Sequence, residues 1–142
     1  MKYFFFLLLL SACLSAPAQT GKFAGTKKSL IGKSYTDSRS MPGLKGWTFR
    51  EGTLMNSLKD PEWFMADVYM KGTVAVVVIS VKEDTASDNY TIIDLIEVKG
   101  ITKGWTIHVG SCRQHKINNA WLIVWGKETN QEYMKTIKKA WR

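Results

Sequence analysis

The stretch HVGSCRQH, from His108 to His115, gathers the residue types of a metal site or of a thiol nucleophile. On an extended strand rising about 3.3 Å per residue, His108 and Cys112 stand roughly 13 Å apart, whereas zinc lies about 2.0 to 2.3 Å from each ligand. One ion cannot hold both. Cys112 with His115 lacks two further ligands, and as a nucleophile with its base it lacks an orienting acid and an oxyanion hole nearby. The expectation is therefore no metal, no cofactor and a Cys112 that packs as a small hydrophobe. The loop EDTASDN lacks the spacing of a calcium-binding hand and reads as a solvated hairpin tip.

Carboxylates offer a second chemistry. Asp67 shares strand parity with Met65 and Tyr69, and Asp94 with Ile92 and Ile96, so each acid can sit on a partly apolar face. If their strands flank residues 74–81, the acids are about 9.6 Å apart, at the upper end of the roughly 6.5 to 9.5 Å span of inverting glycosidases. A hydrolase using Asp67 and Asp94 is the enzymatic alternative; pairing of each acid with a Lys or Arg is the plainer one. The six tryptophans, Trp47, Trp63, Trp105, Trp121, Trp125 and Trp141, point elsewhere, because exposed indoles stack on sugar rings and anchor interfaces. Trp121 and Trp125 flank Ile123 on one strand face and read as core. Trp47 and Trp63, beside Gly and Pro, read as exposed. The candidate binding residues are thus Trp47 and Trp63, with Lys135, Lys138 and Lys139 as a basic rim.

These residues need elements to hold them. Residues 62–70 and 73–82 are strand-like runs joined at Lys71-Gly72, and residues 90–98 form a third run. Residues 105–112 and 119–126 form a second hairpin around RQHKIN. At the end of the chain, Thr129 and Glu132 make a capping box. Tyr133, Ile137, Ala140 and Trp141 then line one stripe of an amphipathic helix, with Lys135, Lys138 and Lys139 toward water. The expected fold class is α+β, a mostly antiparallel meander sheet of five to six strands with this C-terminal helix packed on one face. In 74–81 both strand parities are apolar, so the strand needs cover on both sides, and one helix covers one. Residues 28–58, the curl of the sheet or another molecule must close the other.

Ahead of this domain, Lys2 and the apolar run 3–10 have the form of a secretory leader, too short for the roughly 20 residues of a membrane span. Small residues at Ala16 and Ala18 place a cut after 18. The alternative is a lipoprotein signal of residues 1–12, because Leu10-Ser11-Ala12-Cys13 resembles the bacterial lipobox, which would leave an acylated Cys13. Residues 19–46, rich in Gly, Ser, Thr and Lys, read as a flexible lead-in, and 47–142 as one α+β domain. Basic residues outnumber acidic ones seven to one in 19–50 and seven to two in 113–142, against five to nine in 51–112, so basic ends flank an acidic middle. An exported chain of this kind meets anionic envelope polymers and acidic proteins, and the expectation is no nucleic acid.

IIDLIEVKG, GWTIHVGSCR and IKKAWR together resemble a loose group of small exported bacterial proteins of unknown function, over residues 44–142. The resemblance implies export and a compact α+β domain, and no activity. The expected function is a non-enzymatic exported protein, periplasmic or secreted, or an outer-membrane lipoprotein touching the membrane only through Cys13. Its partner is expected to be a protein, in the manner of an inhibitor or immunity factor, or a second copy, engaged through an uncovered sheet face. Binding of envelope glycan or lipopolysaccharide through exposed Trp and the basic ends is the alternative.

Overall fold

A strand that is apolar on both parities is stable only between two covers, and the fold is built around such a strand. The computed structural model describes residues 27, 29–82, 86–110, 113–114, 117–118, 121–129, 134 and 136–142. The expected leader, Cys13, Cys112, His115 and Lys135 lie outside them. Five strands make the larger sheet: β1 (Ser34–Tyr35), β2 (Thr48–Leu54), β3 (Trp63–Lys71), β4 (Val74–Lys82) and β5 (Tyr90–Lys99). Their order is β1-β5-β4-β3-β2, every pair antiparallel, with β4 at the centre. The expected hairpin of residues 62–70 and 73–82 is present as β3 and β4, and the third run as β5.

A second sheet comprises β6 (Trp105–Val109), β9 (Ile123–Lys127) and β10 (Ile137–Trp141) in the order β10-β9-β6, again antiparallel. Between β6 and β9 the chain makes the short pair β7 (Arg113–Gln114) and β8 (Ile117–Asn118). The expected pairing of the 105–112 and 119–126 segments is thus found in β6 and β9.

Each face of β4 has its own core. Ala75 and Val77, with Ala66, Val68 and Val98 of the neighbouring strands, pack against Ile107, Val109, Ile123 and Trp125 of the second sheet. On the opposite face Val76 and Val78, with Tyr69, Ile92 and Leu95, are covered by Leu30, Tyr35, Met41 and Leu44. The cover on that second face therefore comes from the segment ahead of the domain, one of the three closures open from the sequence.

The expected C-terminal helix is not there, and the α+β class is corrected to a mostly antiparallel β fold whose described helical residues are a short turn at Lys27, Ser29 and Leu30 and the 3-10 turn at Ser38–Ser40, with no helix of seven or more residues among the described ones. Ile137–Trp141 is strand β10, with Ala140 opposite Val124 and Trp141 opposite Ile123. Ile137, Ala140 and Trp141 fit a helical stripe, but Ile137, Lys139 and Trp141 fit a strand alternation equally well over so short a stretch. The unpaired backbone edge of β9 decides between them, since a terminal strand supplies hydrogen bonds that a helix lying on the sheet cannot.

Leu30 is fully buried against this second face. Leu30→Ala should lower the unfolding free energy by about 3 kcal/mol, read from urea titration, because a large side chain leaves a cavity between cover and sheet. An unchanged midpoint would show that the segment does not pack there.

Candidate functional site

The two acids of the hydrolase alternative do not share a site. Asp67 lies opposite Val78 and Asp94 opposite Ile79, adjacent residues of β4 whose side chains leave opposite faces of the sheet. Asp94 is half-exposed and bonds the Lys27 ammonium at 2.8 Å. Burial alone would raise its pKa, but the Lys27 hydrogen bond, the Leu95 amide and the Lys27 charge outweigh it and hold the carboxyl below its ordinary value. That is the plain ion-paired acid.

Asp67 is 1% exposed and is the hub of a polar cluster inside the second core. Its Oδ2 accepts from the Tyr35 hydroxyl at 2.9 Å and from Ser38 Oγ at 2.7 Å, and the Tyr35 and Ser80 hydroxyls share a hydrogen at 2.7 Å. Tyr69 donates to the Ser38 carbonyl. Asp67 Oδ1 has no donor among the described residues, and it lies against Gly52, where any Cβ would strike it. Burial pushes the Asp67 carboxyl up, against the pull of the Ser38 and Tyr35 hydrogen bonds. Burial likewise raises Tyr35 and Tyr69, with the Asp67 charge adding to both. The cluster ties the covering segment to the sheet.

The tryptophans are sorted differently from the sequence expectation. Trp47 is half-buried against the second core, and half-buried Trp63 has the Lys82 ammonium 5.1 Å from its ring centre, with Tyr90 at 5.7 Å on the same cation. Trp125 is core at 8% exposure, but Trp121, at 43%, is not; its ring lies 5.2 Å from Phe64. His108 sits in β6 opposite Val124, and no cluster of three metal-ligating side chains occurs among the described residues.

What the sequence pattern missed is a cleft of about 400 Å³ lined by Thr102, Trp105, Trp125, Thr136, Ile137 and Lys138. It follows from β10 being a strand. The backbone that frames it is fixed by hydrogen bonds from the Trp105 amide to the Thr102 carbonyl at 3.0 Å, from Lys127 to Thr136 at 2.9 Å and from Glu128 to Gly104 at 2.7 Å. At Gly126 a side chain would collide with Met134 Sδ and crowd the Thr136 carbonyl, so glycine is what lets the incoming segment cross.

Trp105 and Trp125 meet edge-to-face with centroids 6.2 Å apart. Ile137 pairs with Gly126 and Lys139 with Trp125, which leaves Lys138 as the extra residue of a bulge. That bulge sends the Lys138 ammonium to 4.1 Å from the centre of the Trp125 ring. Lys139 stands over Trp141 at 4.9 Å. Of the candidate binding residues, Lys138 belongs to this cleft, Lys139 lies beside it on β10, and Trp47 and Trp63 belong to the second face of the larger sheet. Among the described residues the arrangement offers aromatic surface, hydroxyls and one cation.

With its carboxyl held above the ordinary range by burial, folded Asp67 keeps a proton that the unfolded chain releases. Its contribution to stability is full in acid and is lost as pH rises through the folded value. Urea midpoints measured from pH 3 to 7 should fall for the natural protein relative to Asp67→Asn, which cannot ionise; parallel profiles would refute this.

Comparison of the chain with protein-family models, with curated proteins and with solved structures finds no match, so the geometry itself must carry the functional reading.

Proposed function

We propose that this is a non-enzymatic exported binding protein whose ligand is an anionic glycan of the bacterial envelope, lipopolysaccharide included. The observation that carries the reading is the Trp105–Trp125 cleft with Lys138 on its wall. Sugar rings present flat apolar faces rimmed by hydroxyls, and indoles with neighbouring threonines match both. A volume of about 400 Å³ falls within the range of ligand pockets, roughly 300 to 1,000 Å³. Export is supported by the leader pattern, with Cys13 acylation as the alternative anchor. Among the described residues no helix is long and apolar enough to cross a membrane.

The same geometry gives less support to the protein-partner reading. It required a sheet face left open, and both faces of β4 are filled by the chain itself. The basic termini that it shared with the glycan reading remain, and β10 brings Lys138 and Lys139 together with indoles.

Titration of the mature protein with polygalacturonate and with lipopolysaccharide, followed by tryptophan fluorescence, should give a saturable change. It should weaken about tenfold in Trp105→Ala, the loss of one stacking partner. No change in the natural protein at low salt would sink the reading.

A further inference from the structure

We propose that Lys138 is the specificity-determining residue of the cleft: its ammonium covers the Trp125 indole when the site is empty and turns to the carboxylate of an acidic sugar ring when it is filled. This inference rests on the glycan reading above.

Lys138 is placed for the task by the backbone. As the extra residue of the β10 bulge it has no partner on β9, and its direction is set by the bulge rather than by strand alternation. Its exposed four-carbon stem is flexible by nature, and among the described residues the contact that holds its charge is the Trp125 ring face at 4.1 Å. A cation over an indole is a modest attraction, whereas a charge-assisted hydrogen bond to a carboxylate is among the stronger polar contacts, so an acidic ligand draws the ammonium off the ring. The indole face is then free to receive the ring.

The chemistry of the lining selects the ligand class. Among the described residues that line the cleft, Lys138 carries the only charged side chain, and Thr102 and Thr136 supply hydroxyls. One cation balances one carboxylate. A phosphate monoester carries up to about two charges, which one ammonium leaves partly unbalanced, so a carboxylate is the better match. A neutral sugar must displace the ammonium from Trp125 and gains no charge contact in return, so it binds more weakly.

The test compares the natural protein, Lys138→Ala and Lys138→Arg in fluorescence titrations with oligogalacturonate and with neutral cellohexaose, melting temperatures being checked for each. The natural protein should prefer oligogalacturonate by about tenfold or more, and the preference should shrink at 1 M salt. Lys138→Ala should bind oligogalacturonate about tenfold more weakly and cellohexaose about threefold more tightly, because the indole is uncovered; Lys138→Arg should keep the preference. If Lys138→Ala leaves the ratio of the two affinities unchanged, the role of Lys138 is overturned while the glycan reading stands. If neither sugar gives a saturable signal with any variant, both fall. Glucose 6-phosphate bound more tightly than galacturonic acid would overturn the assignment of the carboxylate.

Discussion

Burial of β4 on both faces is the constraint from which the rest of the molecule follows. Val76, Val77 and Val78 are successive residues, each with no exposed surface, so side chains leaving the strand in both directions must meet protein. Burying one such side chain is worth about 1.5 to 3 kcal/mol, and the benefit on either side is lost if that side is left to water. The chain meets the demand with two unlike covers. One is a regular second sheet, and the other is an irregular segment with two residues of strand and one 3-10 turn. The asymmetry explains why the two faces differ in chemistry.

On the irregular side, apolar contact alone would leave the segment free to slide, since Leu30, Met41 and Leu44 have no fixed register. The β1–β5 pairing and the backbone bonds of Gly32 and Lys33 with Ile92 fix its first part, and Asp67 pins it to β3. Its carboxyl takes hydrogen bonds from Tyr35 and Ser38, and Ser38 in turn takes one from Tyr69 through its carbonyl, so the segment is pinned at defined points. A buried carboxyl with one oxygen lacking a donor among the described residues is a destabilising way to obtain that register, and the burial-driven rise of its pKa is the sign of the strain. The neighbouring Lys82, enclosed by Trp63 and Tyr90, continues the polar end of the same face.

On the regular side, the second sheet ends in β10, and its edge sets up the cleft. An edge strand carrying lysines is the usual defence against pairing with another chain. Here the bulge at Lys138 converts part of that defence into a surface with a definite shape, because it aims the ammonium across Trp125 beside Trp105. Fold and candidate site are therefore coupled through a single irregularity of register, and a helix in the same place would have produced neither.

Three strands of the larger sheet, β3, β4 and β5, were legible because their signals are local: the double-sided apolar run at 74–82, the turn at Lys71-Gly72 and the acidic loop before Tyr90 depend only on neighbours in the chain. The sequence also determined that β4 required two covers, though not which segments would provide them. Only the tertiary structure decided that Ile137–Trp141 is a strand, that Asp67 and Asp94 leave opposite faces, that Trp121 is exposed where Trp125 is core, and that Lys138 lies on an indole. Each of these depends on register with a distant strand or on a bulge, and a one-residue shift reverses the face of every side chain that follows. Short-range pattern holds no record of where such a shift occurs, which is why residue types were readable and their meeting places were not.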